Sequence, residues 1–339
     1  MTGGPTMVGR RTASRTGLVP PLPEAVRVEV AAVGDLRCAM CLLGFRPPLN
    51  RLTAAMPLAL FRCLVDDLPG LRALTLQGIG EPLLAPNLVD MVRYAKGRGI
   101  RVSVDTNGSL LYRDRAEELV ESGLDRLRVC LDGADPQGFD TEPEGVHFGP
   151  VLENLAGLVA ARRAADRGTP GVDVVFVATP RNIGHLPDLV ALLGGIGVGR
   201  VRVQYLPPVA DRLDPEGVLA RESFGGPPPE PEPADRKSAP DREGGGEPTE
   251  IDPPLAAKLF AEASLAAEEY GLDLSLPEPG TGPALADDGP YVTSDGTVLS
   301  CCANPGAVPD NAVAPGRLGD HTFADLWAGH ANRLAARRV

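Results

Sequence analysis

The chain has 339 residues, 43% of them apolar, and a formal net charge of −12. That length suffices for one large α/β barrel or two ordinary domains. The acidic balance argues against nucleic acid or an anionic membrane as a partner, because both need a basic face. No run of about 18 apolar residues occurs, so no transmembrane helix is expected. The first 24 residues carry arginines but no apolar signal region, and they read as a disordered tail. A cytoplasmic location follows as the expectation. The six cysteines, 38, 41, 63, 130, 301 and 302, do not suggest a disulfide framework in a cytosolic chain of this size.

From residue 26 to 206 strand-like and helix-like segments alternate. The strands are expected at Val26–Ala32, Ala73–Gln77, Arg101–Asp105, Arg126–Leu131, Val172–Ala178 and Arg200–Leu206. Amphipathic helical stretches lie near 57–68, 86–98, 113–122, 150–166 and 185–196. Six β-then-α units mean parallel strands joined by crossover helices. Pro57 and Pro86-Asn87 mark helix starts, while Gly97, Gly99 and Gly123 mark helix ends.

Strand alternation selects the architecture. Leu127, Val129 and Leu131 share one face, with Arg126, Arg128, Cys130 and Asp132 on the other. The same division separates Val201, Val203 and Tyr205 from Arg202 and Gln204, and Leu74 and Leu76 from Thr75 and Gln77. Val102 and Val104 likewise oppose Ser103 and Asp105. A doubly wound sheet would be apolar on both faces. One polar face on strand after strand fits an α/β partial (βα)6, TIM-like barrel, its outside packed on helices and its inside a wet pocket.

Residues 207–254 are rich in Pro, Gly and charge and read as a disordered insertion. An alanine-rich helix over 255–270, closed by Gly271, and a short strand over 272–276 begin the C-terminal unit, 255–339. A hairpin from Tyr291 to Cys302 follows, with its turn at Asp295-Gly296. Phe323, Leu326 and Trp327 anchor a last small element.

The candidate chemistry starts at the segment after the first strand, where Cys38 and Cys41 stand two residues apart. Two soft thiolates at this spacing can chelate iron or zinc. A redox pair of the thioredoxin kind is the rival, without support elsewhere in the chain. Gly78-Ile-Gly80 reads either as a plain strand-to-helix turn or as backbone opened to a ligand. Asp105-Thr-Asn-Gly108 is likewise a turn or a contact.

The order of these motifs resembles the radical S-adenosylmethionine (radical SAM) superfamily, most of all members with a SPASM or twitch-type C-terminal domain. The residues that carry the resemblance are Gly34-x-x-x-Cys38-x-x-Cys41, Gln77-Gly-Ile-Gly-Glu-Pro82, Asp105-Thr-Asn-Gly108, Val129-Cys-Leu-Asp-Gly133 and Val203-Gln-Tyr-Leu206. It covers residues 26–206 and again 255–339. It implies metal ligation by Cys38 and Cys41, with Gly78, Gly80, Glu81, Asn107, Cys130, Asp132 and Gln204 at the S-adenosyl-L-methionine site. It also implies a [4Fe–4S] cluster, reductive cleavage of the sulfonium to a 5′-deoxyadenosyl radical, and hydrogen abstraction from a peptide or small metabolite.

The sequence departs from the family pattern at Gly34, where the first cluster cysteine is expected. Asp35 offers oxygen, a poor match for a soft metal. Cys63 falls opposite the apolar face of its helix and is expected at solvent, whereas Cys130 faces the barrel interior. In the tail, Gly296 and Cys301-Cys302 keep one spacing of an auxiliary-cluster domain. Buried small residues explain those two cysteines equally well. Two functions are expected on these grounds. One is a radical enzyme with a substitute third ligand. The other is a degenerate, non-catalytic family member that binds a ligand or a partner enzyme.

Overall fold

The structure, a computed structural model, describes residues 21–36, 55–78, 80–131, 148–180, 182–205, 251–277, 290–299 and 313–336. Most of the expected tail and of the 207–254 insertion, and Cys38, Cys41, Asp132, Cys301 and Cys302, lie outside the described residues.

Six parallel strands form in the expected order: β1 Ala25–Glu29, β2 Ala73–Gln77, β3 Arg101–Thr106, β4 Arg126–Cys130, β5 Gly171–Ala178 and β6 Arg200–Tyr205. Between them run α1 Leu58–Asp66, α2 Leu88–Lys96, α3 Arg113–Glu121, α4 Phe148–Ala164 and α5 Leu186–Ile196. The C-terminal part adds α6 Pro253–Tyr270, β7 Asp273–Ser275, β8 Tyr291–Val292, β9 Thr297–Leu299, β10 Val313–Arg317 and α7 Phe323–Ala336. All ten strands belong to one sheet, ordered β10-β9-β8-β1-β2-β3-β4-β5-β6-β7. The sheet therefore continues past the barrel strands at both edges. β7 pairs parallel with β6, and β8 pairs parallel with β1. The fold is an α/β partial barrel with a small antiparallel C-terminal addition, as the alternation predicts.

Local chemistry explains the element ends. In α1, Phe61, Leu64 and Val65 are buried at i, i+3, i+4 spacing, and Cys63 is exposed on the other side, as expected. α6 starts at Asp252, whose side chain accepts from Leu255 N, and ends at Gly271 in the left-handed region at φ +64°. The hairpin turns at Gly296, φ +86°, with Gly296 N donating to Thr293 O at 2.9 Å.

Register divides the two faces cleanly. Val26, Val28, Leu74, Leu76, Val102, Val104, Leu127, Val129, Val174, Phe176, Val201 and Val203 are all buried against the helices. On the other face Glu29 stands opposite Gln77, and Asp105, Arg128, Asp173, Arg200 and Asp273 stand opposite one another in turn. Acid and base alternate along this row, so the charges neutralise one another in place. Arg128 Nε bonds Asp105 at 2.6 Å, and Arg126 bonds both oxygens of Asp173 at 2.7 Å. Arg200 bonds Asp273 at 2.6 Å. Parallel strands with a charged inner face hold together because each charge has its counterion one strand away.

Asp173 is 5% exposed, whereas the Arg126 side chain is 42% exposed. Removing the guanidinium leaves a buried carboxylate unpaired. For Arg126→Ala we expect a loss of about 1–2 kcal/mol, below the ~3–5 of a fully buried pair because water already screens the arginine. Urea unfolding of both proteins measures it. An unchanged midpoint means that the pair contributes nothing.

Candidate functional site

The strand ends of β1, β2 and β3 converge at one rim, where residues 31–36 lead into the cysteine segment. Ala31 bridges Ala55, and Met56 N donates to Val30 O at 2.9 Å, so the chain leaves and returns at one place. Glu81 N donates to Val33 O at 2.8 Å. Gly78 and Gly80 are glycines because this backbone crosses theirs. A Cβ on Gly78 would lie 2.9 Å from Ala31 O, and one on Gly80 would lie 2.6 Å from Ala31 O and 2.7 Å from Val33 N. These glycines make their close approach to the Ala31–Val33 backbone.

Glu81 is 3% exposed and sits under the same rim. Its Oε1 accepts from Leu83 N at 2.9 Å and Thr106 Oγ1 at 2.6 Å, and its Oε2 accepts from Asn107 N at 2.9 Å. Burial pushes its carboxyl above the usual 4.5, against the pull of those three donors and with a push from the nearby Asp35 charge. Glu81 holds the β2 and β3 ends together with both oxygens.

Asp35, next to Gly34, is held from β3 as well. Its Oδ1 accepts from Asn107 Nδ2 at 2.9 Å. Ser109 Oγ lies 2.5 Å from Asp35 Oδ2 and 2.6 Å from Asn107 Oδ1, and its single hydrogen serves one of them at a time. Asn107 Oδ1 also accepts from Ser109 N at 2.9 Å, which closes the turn. Gly108 completes it at φ +77°. Asn107 to Ser109 form a turn at the end of β3, and that turn holds Asp35.

Gly78, Gly80, Glu81 and Asn107 thus meet along residues 31–35. Cys130 and Gln204 lie farther round the inner face. Cys130 is exposed at the end of β4, opposite Val175, and Gln204 is half-buried on β6, opposite Val177. Thr106, Ser109 and the clamping role of Asp35 escaped the sequence reading. A Thr-Asn-x-Ser run after a strand announces a turn but does not name the carboxylate that it grips.

The donor set fits a cluster in part. The sequence offers Cys38 and Cys41 as two thiols that would ligate iron, Gly34 has no side chain, and both oxygens of Asp35 already accept hydrogen bonds. Among the described residues no group of three or more His, Cys, Asp or Glu is placed to hold a metal ion. Cys130 is the one described cysteine on the inner face.

Comparison with known proteins agrees with this geometry. The model of the Radical SAM superfamily matches residues 28–193. A tungsten-containing aldehyde ferredoxin oxidoreductase cofactor-modifying protein of Pyrococcus furiosus is 31% identical over 194 residues, covering 56% of this chain and 52% of that protein. A GTP 3′,8-cyclase of Rhizobium etli is 33% identical over 202 residues, covering 56% and 55%. The chain spans about half the length of these curated relatives. Among solved structures, Streptococcus suis SuiB bound to the precursor peptide SuiA superposes with a TM-score of 0.63 at 13% identity, covering 90% of this chain and 64% of SuiB. Native anSMEcpe with bound AdoMet gives 0.56 at 16% identity, covering 91% and 82%. At these identities the likeness is one of fold.

The raised Glu81 carboxyl has a measurable consequence. Between 4.5 and its higher folded value, the folded state holds a proton that the unfolded state has released. Stability therefore falls as pH rises through that window. Urea midpoints taken across it should decline for the parent protein, with a flatter profile for Glu81→Gln. Equal slopes would separate Glu81 from the effect.

Proposed function

We propose, on the premise that residues 28–193 form a radical SAM superfamily barrel, that this chain binds an iron–sulfur group at Cys38 and Cys41 and S-adenosylmethionine at the same rim, and that it modifies a peptide or small metabolite by radical chemistry. The observation that carries this reading is the clamp. Two strand ends, those of β2 and β3, grip residues 31–36, by backbone contact at Gly78, Gly80 and Glu81 and through the side chains of Asn107 and Ser109. Holding one segment against two strand ends is what a site needs when ligands on that segment must keep a fixed geometry.

The residues divide the work. Glu81 sets the spacing between β2 and β3, and Asp35 fixes the segment over β3. Cys130 and Gln204 present polar side chains from the inner face, where a substrate would lie. SuiB was solved with a precursor peptide, which supports a peptide among the candidate substrates. The relatives named for cofactor modification and GTP cyclisation support a small metabolite. A reducing, cytoplasmic setting belongs to the same reading, because thiolate-held iron needs it.

Gly34 favours a second reading, a non-catalytic barrel that binds a ligand or a partner enzyme. Under the first reading the third ligand comes from outside the Gly34–Cys41 run, Cys130 being the candidate on this chain.

Anaerobic reconstitution with iron and sulfide separates the two. We expect four irons per chain, brown absorbance and reductive formation of 5′-deoxyadenosine, all lost in Cys38→Ala and Cys41→Ala. Gly34→Cys should raise iron retention without disturbing the fold. Colourless protein in the parent with a restored cluster in Gly34→Cys supports the binding-module reading. Colourless protein in both sinks the assignment of the cluster to this segment.

A further inference from the structure

On the inner face of β6 one arginine is paired and the next is not. Arg200 and Arg202 point to the same side of the sheet, because strand side chains repeat every two residues. Arg200 takes the carboxylate at hand, with its Nε and Nη2 at 2.7 and 2.6 Å from Asp273 Oδ2. Farther along the row, Arg126 holds both oxygens of Asp173, and Arg128 holds Asp105. Arg202 stands one pleat nearer the C-terminal strand ends. Its neighbours across the sheet are Val175 on β5 and Ser275 on β7, neither of them an acid. Arg202 is exposed, and its guanidinium has no hydrogen bond or ion pair among the described residues.

Gln204 is the next inner-face residue of β6, opposite Val177. It is half-buried, and its amide also has no partner among the described residues. A half-buried amide has lost part of its water and gained no hydrogen bond in return, a cost that a ligand acceptor would offset. Two residues of extended chain separate the Arg202 and Gln204 Cα atoms by about 7 Å, so the guanidinium and the amide can meet on one group. The guanidinium carries donors and no acceptor, in a planar fork that fits carboxylate and phosphate oxygens two at a time. An unpaired guanidinium also gives a chain of net charge −12 a local attractor for anions.

We propose that Arg202 and Gln204 form an oxyanion subsite on β6, and that the substrate carries a carboxylate or phosphate group which this pair holds. The proposal rests on the reading of the inner face as the side where substrate lies. Arg202 supplies the charge and the fork, and Gln204 supplies a further N–H. Cys130, on the same row beyond Val175, lies about two strand spacings from Arg202, roughly 10 Å. The anionic end of the substrate would therefore lie on the β6 side of the inner face.

The test is modification of arginines in the full chain by phenylglyoxal, resolved by peptide mass spectrometry. Phenylglyoxal attacks a free guanidinium, and a bound oxyanion shields it. Arg101, exposed and unpaired among the described residues at the opposite end of the strands, is the internal reference. Inorganic phosphate or succinate should slow modification of Arg202 about fivefold with Arg101 unchanged, and Gln204→Ala should remove about half of that protection. Protection by one of the two anions alone supports the subsite and names the group that it prefers. S-adenosyl-L-methionine is the third probe, because it carries a carboxylate of its own. Protection by it without protection by phosphate or succinate assigns the pair to the cofactor and overturns the proposal. Equal slowing of Arg101, full protection in Gln204→Ala, or no protection by any probe would also overturn it. The assay needs no iron, so the oxyanion subsite and the cluster assignment fail independently.

Discussion

The contact on which the site depends is the Glu81 carboxylate with its three donors. Leu83 N, Thr106 Oγ1 and Asn107 N all point at one 3%-exposed group. Two come from the strand next door, so the carboxylate fixes how the end of β2 sits on the end of β3. Once that spacing is set, Val33 O is in reach of Glu81 N and Asp35 is in reach of Asn107. Without it the segment after β1 would have one neighbour instead of two. A neutral apolar residue at 81 would leave three buried donors unanswered, which is a larger fault than a lost attraction.

Below this rim, the polar face is what distinguishes the sheet from an ordinary parallel one. The row from Asp105 to Asp273 alternates in sign, so the barrel interior is charged yet locally neutral. Such pairs hold the register because a one-residue slip would move each arginine to the apolar face.

Much of this was legible in the sequence, for identifiable reasons. The outward position of Cys63 follows from helical period, and the turns at Gly271 and Asp295-Gly296 follow from residue chemistry that needs only near neighbours. The alternation of Arg126 to Leu131 gave the face assignment because strand period is two. Gly78 and Gly80 were read as a plain turn or as backbone opened to a ligand; the backbone they approach, Ala31 to Val33, lies more than forty residues earlier and leaves no local mark. Asp35 was weighed as a metal donor, whereas its oxygens are engaged by Asn107 and Ser109. The bond from Ser294 to Glu29 had no signal at all, because nothing in either stretch encodes a contact across 265 positions.

The parallel pairing of β8 with β1 also bears on how the chain reaches its native state. β1 leaves the ribosome long before Tyr291-Val292, its partner in the sheet. Until residues 290–299 arrive, one side of β1 offers a row of unpaired backbone groups, with Val26 and Val28 beside them. Such an edge is open to pairing with another chain. High sequence separation also slows its closure. The hairpin is therefore a late-arriving cover for the first strand, and the chain is most vulnerable to aggregation in the interval before that cover docks.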